Sequence, residues 1–299
     1  MKRVISVILA LIITIGTCQT NIMEVEAKTN SEYSVTFELS SVKHSMSMGG
    51  SVVASKTFLD VSGIHVKGYS NKKYSKYAVY MDGYKFKVKK KNIVKHPGNR
   101  IIDLTVNYGD YWKQETADGM GNYTFPGNLV ISEKKHSVVV KGYSGKKWKT
   151  LYKKSLQPNK NKFYGYETFM WDETNMEKVV KGIVAKGDVS GDLSKYSRKI
   201  KGNNFTYKPS KVKIVTINKK GKVVSKKTVK LKEKKQFKFK APMTDCVISK
   251  IKDEYGCSYR IEKNKNNTSY YFFYKGKKLV DIQEACTINS TNVYISNNN

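Results

Sequence analysis

Residues 64–86 read IHVKGYSNKKYSKYAVYMDGYKF, and residues 183–205 read IVAKGDVSGDLSKYSRKIKGNNF. Laid over one another without a gap, they share Ile64/Ile183, Lys67/Lys186 and Gly68/Gly187. They also share Ser75-Lys76-Tyr77 against Ser194-Lys195-Tyr196, Gly83/Gly202 and Phe86/Phe205. After a difference in loop length the match resumes, with Ile101–Asn107 (IIDLTVN) facing Val212–Asn218 (VKIVTIN). A third fragment, Val66-Lys67-Gly68-Tyr69-Ser70, recurs as Val140-Lys141-Gly142-Tyr143-Ser144. Self-similarity at a fixed offset is the sequence sign of a repeated structural unit.

The repeated unit reads as β-structure. One strand ends at Gly68 or Gly187. The next points Tyr77, Val79 and Met81, or Tyr196 and Ile200, to one side, because side chains alternate along a strand. Gly83 or Gly202 then permits the positive-φ turn of a hairpin that returns through Phe86 or Phe205. In the second copy Asn218-Lys219-Lys220-Gly221 is the turn before a closing strand. The reading predicts that 64–117 and 183–231 share one strand order.

Short alternating or apolar runs bounded by Gly, Asn, Asp or Lys-rich turns continue through most of the chain, from Tyr33–Leu39 to Lys278–Ile282. Only Trp171–Lys181 reads as helical, with Thr174 and Glu177 spaced as a capping box and Gly182 just past the end. Val179-Val180 would serve equally to begin a strand. Many short strands with frequent turns describe a β-sandwich. The composition agrees. The 299 residues are 39% apolar, below the roughly 45–50% of an average soluble domain, yet 12% aromatic, against disorder. Collagen, coiled coil and a polytopic membrane protein are excluded.

The chain resembles the bacterial immunoglobulin-like domains of secreted and surface proteins. The residues that carry the resemblance are the strand ending in Gly, the turn before Phe86 or Phe205, and the closing hairpin Ile214-Val215-Thr216-Ile217-Asn218-Lys219-Lys220-Gly221-Lys222-Val223-Val224-Ser225. The match covers roughly 57–118 and 178–242. It implies tandem Ig-like β-sandwiches that act as spacer, adhesion or ligand-binding modules, with no catalytic residues to carry over. The Cys pair around a core Trp is absent, as no Cys lies between Cys18 and Cys246.

The N-terminus reads as a signal peptide over residues 1–27. Lys2-Arg3 precede the apolar run Val4–Ile15, and Val25-Glu26-Ala27 offers a small-residue cleavage site. The run is shorter than the about 20 residues of a spanning helix. A retained anchor, or a lipid on Cys18, is the alternative and the only route foreseen to a membrane. The expected organisation beyond it is a first sandwich over 28–121, a second sandwich region over 122–242 and a small Cys-containing β module over 243–299. In an oxidising compartment Cys246 and Cys257 are expected to pair, leaving Cys286 over.

No metal, nucleotide or nucleophile motif emerges. His44, His65, His96 and His136 are scattered, and no CxxC or Gly-x-Ser-x-Gly occurs. Gly187–Asp192 begins like a calcium loop, but Leu193 stands where Gly is needed and Lys199 where a bidentate carboxylate belongs. No cofactor is expected.

The dominant signal is charge. Lys+Arg number 56 against 24 Asp+Glu, a net charge of +32, and all but four of the basic residues are Lys. Lys is a hydrated point charge suited to diffuse attraction toward polyanions, whereas bidentate recognition of phosphate or bases favours Arg. With a secretory signal, anionic cell-wall polymers or acidic glycans are the expected partners, and nucleic acid is not. The candidate contacts are Lys72, Lys73 and Tyr74, with Lys146, Lys147 and Trp148, where aromatic residues stand beside Lys-rich loops. An AT-rich genome would enrich Lys without function. The reading is a secreted, non-catalytic envelope protein of a Gram-positive bacterium. A secreted enzyme with an unrecognised site and a purely structural spacer are the alternatives.

Overall fold

The computed structural model describes residues 32–48, 51–107, 116–117, 122–123, 133–161, 168–171, 176–187, 191–203, 205, 207–253, 256–285 and 290–294. The signal peptide, Cys18 and Cys286 lie outside the described residues.

The described residues are predominantly antiparallel β. Its first half holds β1 (Glu32–Met48), β2 (Ser51–Tyr69), β3 (Lys76–Met81), β4 (Tyr84–Lys87) and β5 (Ile101–Asn107). The short β6 (Thr116–Ala117) and β7 (Asn122–Tyr123) follow, then β8 (His136–Ser144) and β9 (Lys147–Leu156). The second half begins with β10 (Thr168–Trp171) and a helix (Met176–Val184). It continues with β11 (Gly191–Asn203), β12 (Lys211–Asn218), β13 (Val223–Lys230), β14 (Phe237–Asp253), β15 (Gly256–Lys263), β16 (Asn267–Lys275), β17 (Lys278–Glu284) and β18 (Ser290–Tyr294).

Two sandwiches result. In the first, sheet β1-β2-β5 faces sheet β4-β3-β8-β9. In the second, β10-β11-β14, extended by β15 and β18, faces β13-β12-β16-β17. With β6, β7, β15 and β18 set aside and the strands renumbered within each half, both sandwiches place 1-2-5 against 4-3-6-7. The first core is aliphatic: Val35, Ile64, Val66, Ile102, Leu104 and Val106 meet Val79, Met81, Val138 and Val140, with Phe37 and Phe86 between. The second is aromatic: Phe205, Phe237, Phe239, Tyr271 and Phe273 pack with Val212 and Ile214. Alternation sends the intervening residues of β2 and β5 to the opposite face, where Tyr69 and Ile101 pack on Val215, Ile217, Tyr270, Phe272 and Ile282 of the second sandwich. The four sheets therefore stack as layers. β16 is covered on both sides, which is why every residue from Thr268 to Tyr274 is buried. The turn Pro97–Asn99 sits against the turn 219–221 so closely that a Cβ on Gly98 would strike the Gly221 backbone.

Several expectations change. The repeat as aligned does not share a strand order: Ile64 lies in β2 but Ile183 in the helix, β3 falls within β11, β4 begins where β11 ends, and β5 falls on β12. Alternation is common to every strand and reports nothing of its partner, so a strand-by-strand match can slide by one element. Gly83 does make the expected turn, with Asp82 (φ 48) and Gly83 (φ 85) both positive. Gly202 does not: it lies inside β11 opposite Phe237, whose ring lies across it. The Val66–Ser70 and Val140–Ser144 fragments belong to β2 and β8, on opposite sheets of one sandwich. The expected boundaries at 121/122 and 242/243 cross paired strands, since β8 pairs with β3 and β16 with β12. The helix starts at Met176 and runs through Gly182, while Trp171 is in β10.

The expected Cys246–Cys257 disulfide is also corrected. Cys246 is a free, buried thiol. On the paired strands β14 and β15 it stands opposite Lys263, whereas Cys257 stands opposite Lys252. That offset of six positions is about 20 Å along the strand, against the roughly 4.4–6.8 Å between Cα atoms that a disulfide spans. Closeness in sequence suggested the pair; the hairpin register separates it.

Candidate functional site

The outer face of β4-β3-β8-β9 is the most distinctive surface. Residues directly opposite on antiparallel strands point to the same side. Val79, Val138 and Val140 point into the core, so Lys76 and Tyr80 of β3, Lys141 and Tyr143 of β8, Lys85 and Lys87 of β4, and Trp148 and Lys153 of β9 point out. These outward positions contain no carboxylate. Trp148 is 44% exposed, one of few large apolar side chains so placed among the described residues.

The aromatic and cationic groups interleave. The Trp148 and Tyr143 rings lie 5.3 Å apart between centroids. Lys76 Nζ stands 5.7 Å from the Tyr143 ring, Lys141 Nζ 5.1 Å from Tyr80 and Lys85 Nζ 5.9 Å from Trp148. Each such contact is worth about 0.5–1 kcal/mol at an exposed site. It also holds the long Lys stems against the sheet with their ammonium groups outward, a surface of fixed positive charge over π faces.

The sequence-based candidates fall at one end of this face. Lys72 and Lys73 are exposed in the loop leading into β3, and Lys146 and Lys147 are exposed at the β8–β9 turn. The pairing Lys76↔Tyr143↔Trp148 and the hydrogen bond from the Ser75 amide to the Tyr143 carbonyl (3.0 Å) bring the two loops together. Tyr74 turns inward, its ring over Gly142, and packs on the first core. Lys76, Lys85 and Lys141 are not distinguished by the sequence from the many other lysines. Strand alternation from the core residue Val79 would have found Tyr80, but which strands neighbour β3 is not written locally.

Two polar clusters elsewhere have a structural chemistry. Between the sandwiches His65 Nε2 meets Asp103 Oδ1 at 2.8 Å, and His96 reaches Asp103 and Glu284, both at 3.5 Å. Burial alone would lower the His96 pKa, but the hydrogen bonds to Asp103 and Glu284 raise it to about 9. His96 is thus biased toward its protonated form and ties the layers together through Asp103 and Glu284. Burial would raise the Asp103 pKa, but the hydrogen bonds from His65 and His96 hold it well below the usual carboxylate range. Inside the second sandwich Arg198 makes a two-pronged contact with Asp245 (Nη1–Oδ1 2.8 Å, Nη2–Oδ2 2.7 Å) and donates to Cys246 Sγ and the Tyr271 hydroxyl, each at 3.0 Å. Burial pushes the Cys246 thiol up to about 12, so it is not a reactive nucleophile. Among the described residues no group of three or more His, Cys, Asp or Glu could hold a metal ion.

Comparison with known protein families, with curated proteins and with solved structures finds no match to this chain.

Proposed function

We propose that the chain is a secreted, non-catalytic protein of a Gram-positive cell envelope that holds anionic wall polymers or acidic glycans on the outer face of β4-β3-β8-β9. The observation that carries the reading is the row of rings, exposed Trp148 with half-buried Tyr80 and Tyr143, over which Lys85, Lys141 and Lys76 are set, and the lack of a carboxylate at the outward strand positions of that face. Lys supplies non-directional attraction to a repeating polyanion, and the rings supply contact area for sugar units. The two sandwiches serve as Ig-like modules. Their common order, 1-2-5 against 4-3-6-7, supports this: it differs from the constant-type immunoglobulin arrangement only in the sheet that takes the fourth strand.

The test is retention on purified walls. The protein should stay on walls bearing teichoic acid at low salt and elute as the Debye length falls from about 10 Å at 0.1 M to about 3 Å at 1 M. Replacing Lys76, Lys85 and Lys141 by Gln should lower the eluting salt concentration. Trp148→Ala should weaken retention by about two- to fivefold, matching the loss of one exposed ring contact. Equal retention on intact and stripped walls at low salt would refute the reading.

A further inference from the structure

The junction between the sandwiches holds a second basic site in an open cleft. A cavity of about 470 Å³ opens where the start of β1 and the end of β9 meet β12, β13 and the β16–β17 hairpin. Five lysines line it, Lys154, Lys211, Lys213, Lys277 and Lys278, against a single acidic residue, Glu32. Glu32 is already paired with Lys213 at 3.0 Å. Lys278 donates to the neutral Asn161 side chain at 2.8 Å, and Lys211 lies 4.5 Å from the centre of the Tyr274 ring. Lys154, Lys211, Lys277 and Lys278 have no carboxylate partner among the described residues. Lys278 is held below the ordinary lysine pKa by burial and by its neighbours Lys154 and Lys275, the signature of uncompensated positive charge.

A second observation is independent of charge. Tyr274 lines the same cavity and is only 5% exposed, yet its hydroxyl has no hydrogen-bond partner among the described residues. Buried polar groups are normally paired, and each orphan calls for a partner. A buried phenol O–H in a lysine-lined wall offers a neutral donor in a cationic setting, a donor set that a compact oxyanion satisfies.

We infer that this cavity binds a phosphate group, either inorganic or carried by a small ester. Lysines suit phosphate as point charges, and the volume leaves room for a short organic group beyond the phosphorus. The site is distinct from the outer face of β4-β3-β8-β9. Lys154 stands opposite the core residue Val138 and so leaves β9 on the side away from Trp148. Because both sandwiches supply walls, a bound phosphate joins them, and occupancy stabilises the stacked state by mass action.

Isothermal titration calorimetry and thermal unfolding of the full chain, with inorganic phosphate and with glycerol phosphate as probes and chloride at matched ionic strength as control, test the inference. At least one probe should bind and raise Tm where chloride does not, and tighter binding of glycerol phosphate would identify an esterified source. Lys211→Gln and Tyr274→Phe should each weaken that binding by about tenfold, the loss of one hydrogen bond to a charged group. Trp148→Ala should leave it unchanged, so a failure here is separable from a failure of wall retention. Tyr274→Phe keeps the ring and guards against a merely unfolded variant. Titration indistinguishable from chloride, or native affinity in both variants, would overturn the site.

Discussion

The two sandwiches share a strand order and almost nothing of their interiors. The first is filled by Val, Ile and Leu around Phe37 and Phe86. The second stacks Phe205, Phe237, Phe239 and Phe273, and buries the Arg198–Asp245 pair, each side chain 1% exposed, against Tyr271 and Cys246. One arrangement of strands accepts both because a core requires apolar volume on the correct face, not particular residues. The buried pair is the sharper difference. It fixes β11 to β14 and β16 through directional bonds inside the core, where the core cluster of the first sandwich is apolar and its His136–Asp82 contact lies at the β3–β4 turn.

The comparison is broken most severely at Arg198. Arg198→Met leaves Asp245 as an uncompensated buried charge and should cost about 3–5 kcal/mol, read as a fall in the urea midpoint. Arg198→Met with Asp245→Leu should recover most of that loss, since no buried charge then remains. A single variant within 1 kcal/mol of the native protein would show that the pair is dispensable.

Next in size is Gly202, where the Phe237 ring lies across the strand. Gly202→Ala should cost about 1–3 kcal/mol by overpacking. At Gly83 of the first sandwich a Cβ would meet nothing, so Gly83→Ala pays only for its positive φ, about 1–2 kcal/mol. Thermal unfolding of the two variants side by side tests whether ring or turn dominates.

The junction between the sandwiches adds a pH dependence. The folded His96 pKa, about 9, lies above its ordinary 6.5, so its contribution is complete below pH 6.5 and is lost as pH rises through 9. Asp103 is depressed below its ordinary value of 3.8, so its contribution is present above that pH and is lost as pH falls below it. Urea midpoints should form a plateau near neutrality and decline on both sides, and His96→Gln should flatten the alkaline limb most and the acid limb in part, since His96 is one of the two histidines that hold Asp103 down. An alkaline decline unchanged in that variant would assign it elsewhere.

The smallest effect on stability is expected at Trp148. Trp148→Ala should move the midpoint by no more than about 0.5 kcal/mol, as for an ordinary surface substitution, while changing wall retention. A large loss of stability would place the ring in the packing and not at a contact surface.

Much of the fold was legible because strand alternation and turn chemistry are local. Asp82-Gly83 and Asn218–Gly221 form the expected turns, and the expected strand over Tyr270–Tyr274 is part of β16. The continuous apolar run of that segment already carried more information than was read from it. Five successive large rings mean a strand covered on both faces, which is incompatible with a small peripheral module. The candidate site was half legible. Lys72, Lys73, Lys146, Lys147 and Trp148 stood out by composition and do meet at one end of a sheet, but Tyr74 faces the core.

The sequence by itself determined the β class, the turns and the excess of positive charge, because each follows from the residues within a few positions of one another. The tertiary structure decided which strands pair, and through them everything that depends on register. It set the aligned repeat on strands that are not equivalent, kept Cys246 away from Cys257, and set Lys76, Tyr143 and Trp148 in one row. It also gathered lysines from β9, β12 and the β16–β17 hairpin around Tyr274. The physical reason is that pairing is chosen by burial of one face against a distant partner. A shift of one residue or one strand leaves the local pattern intact while changing every neighbour.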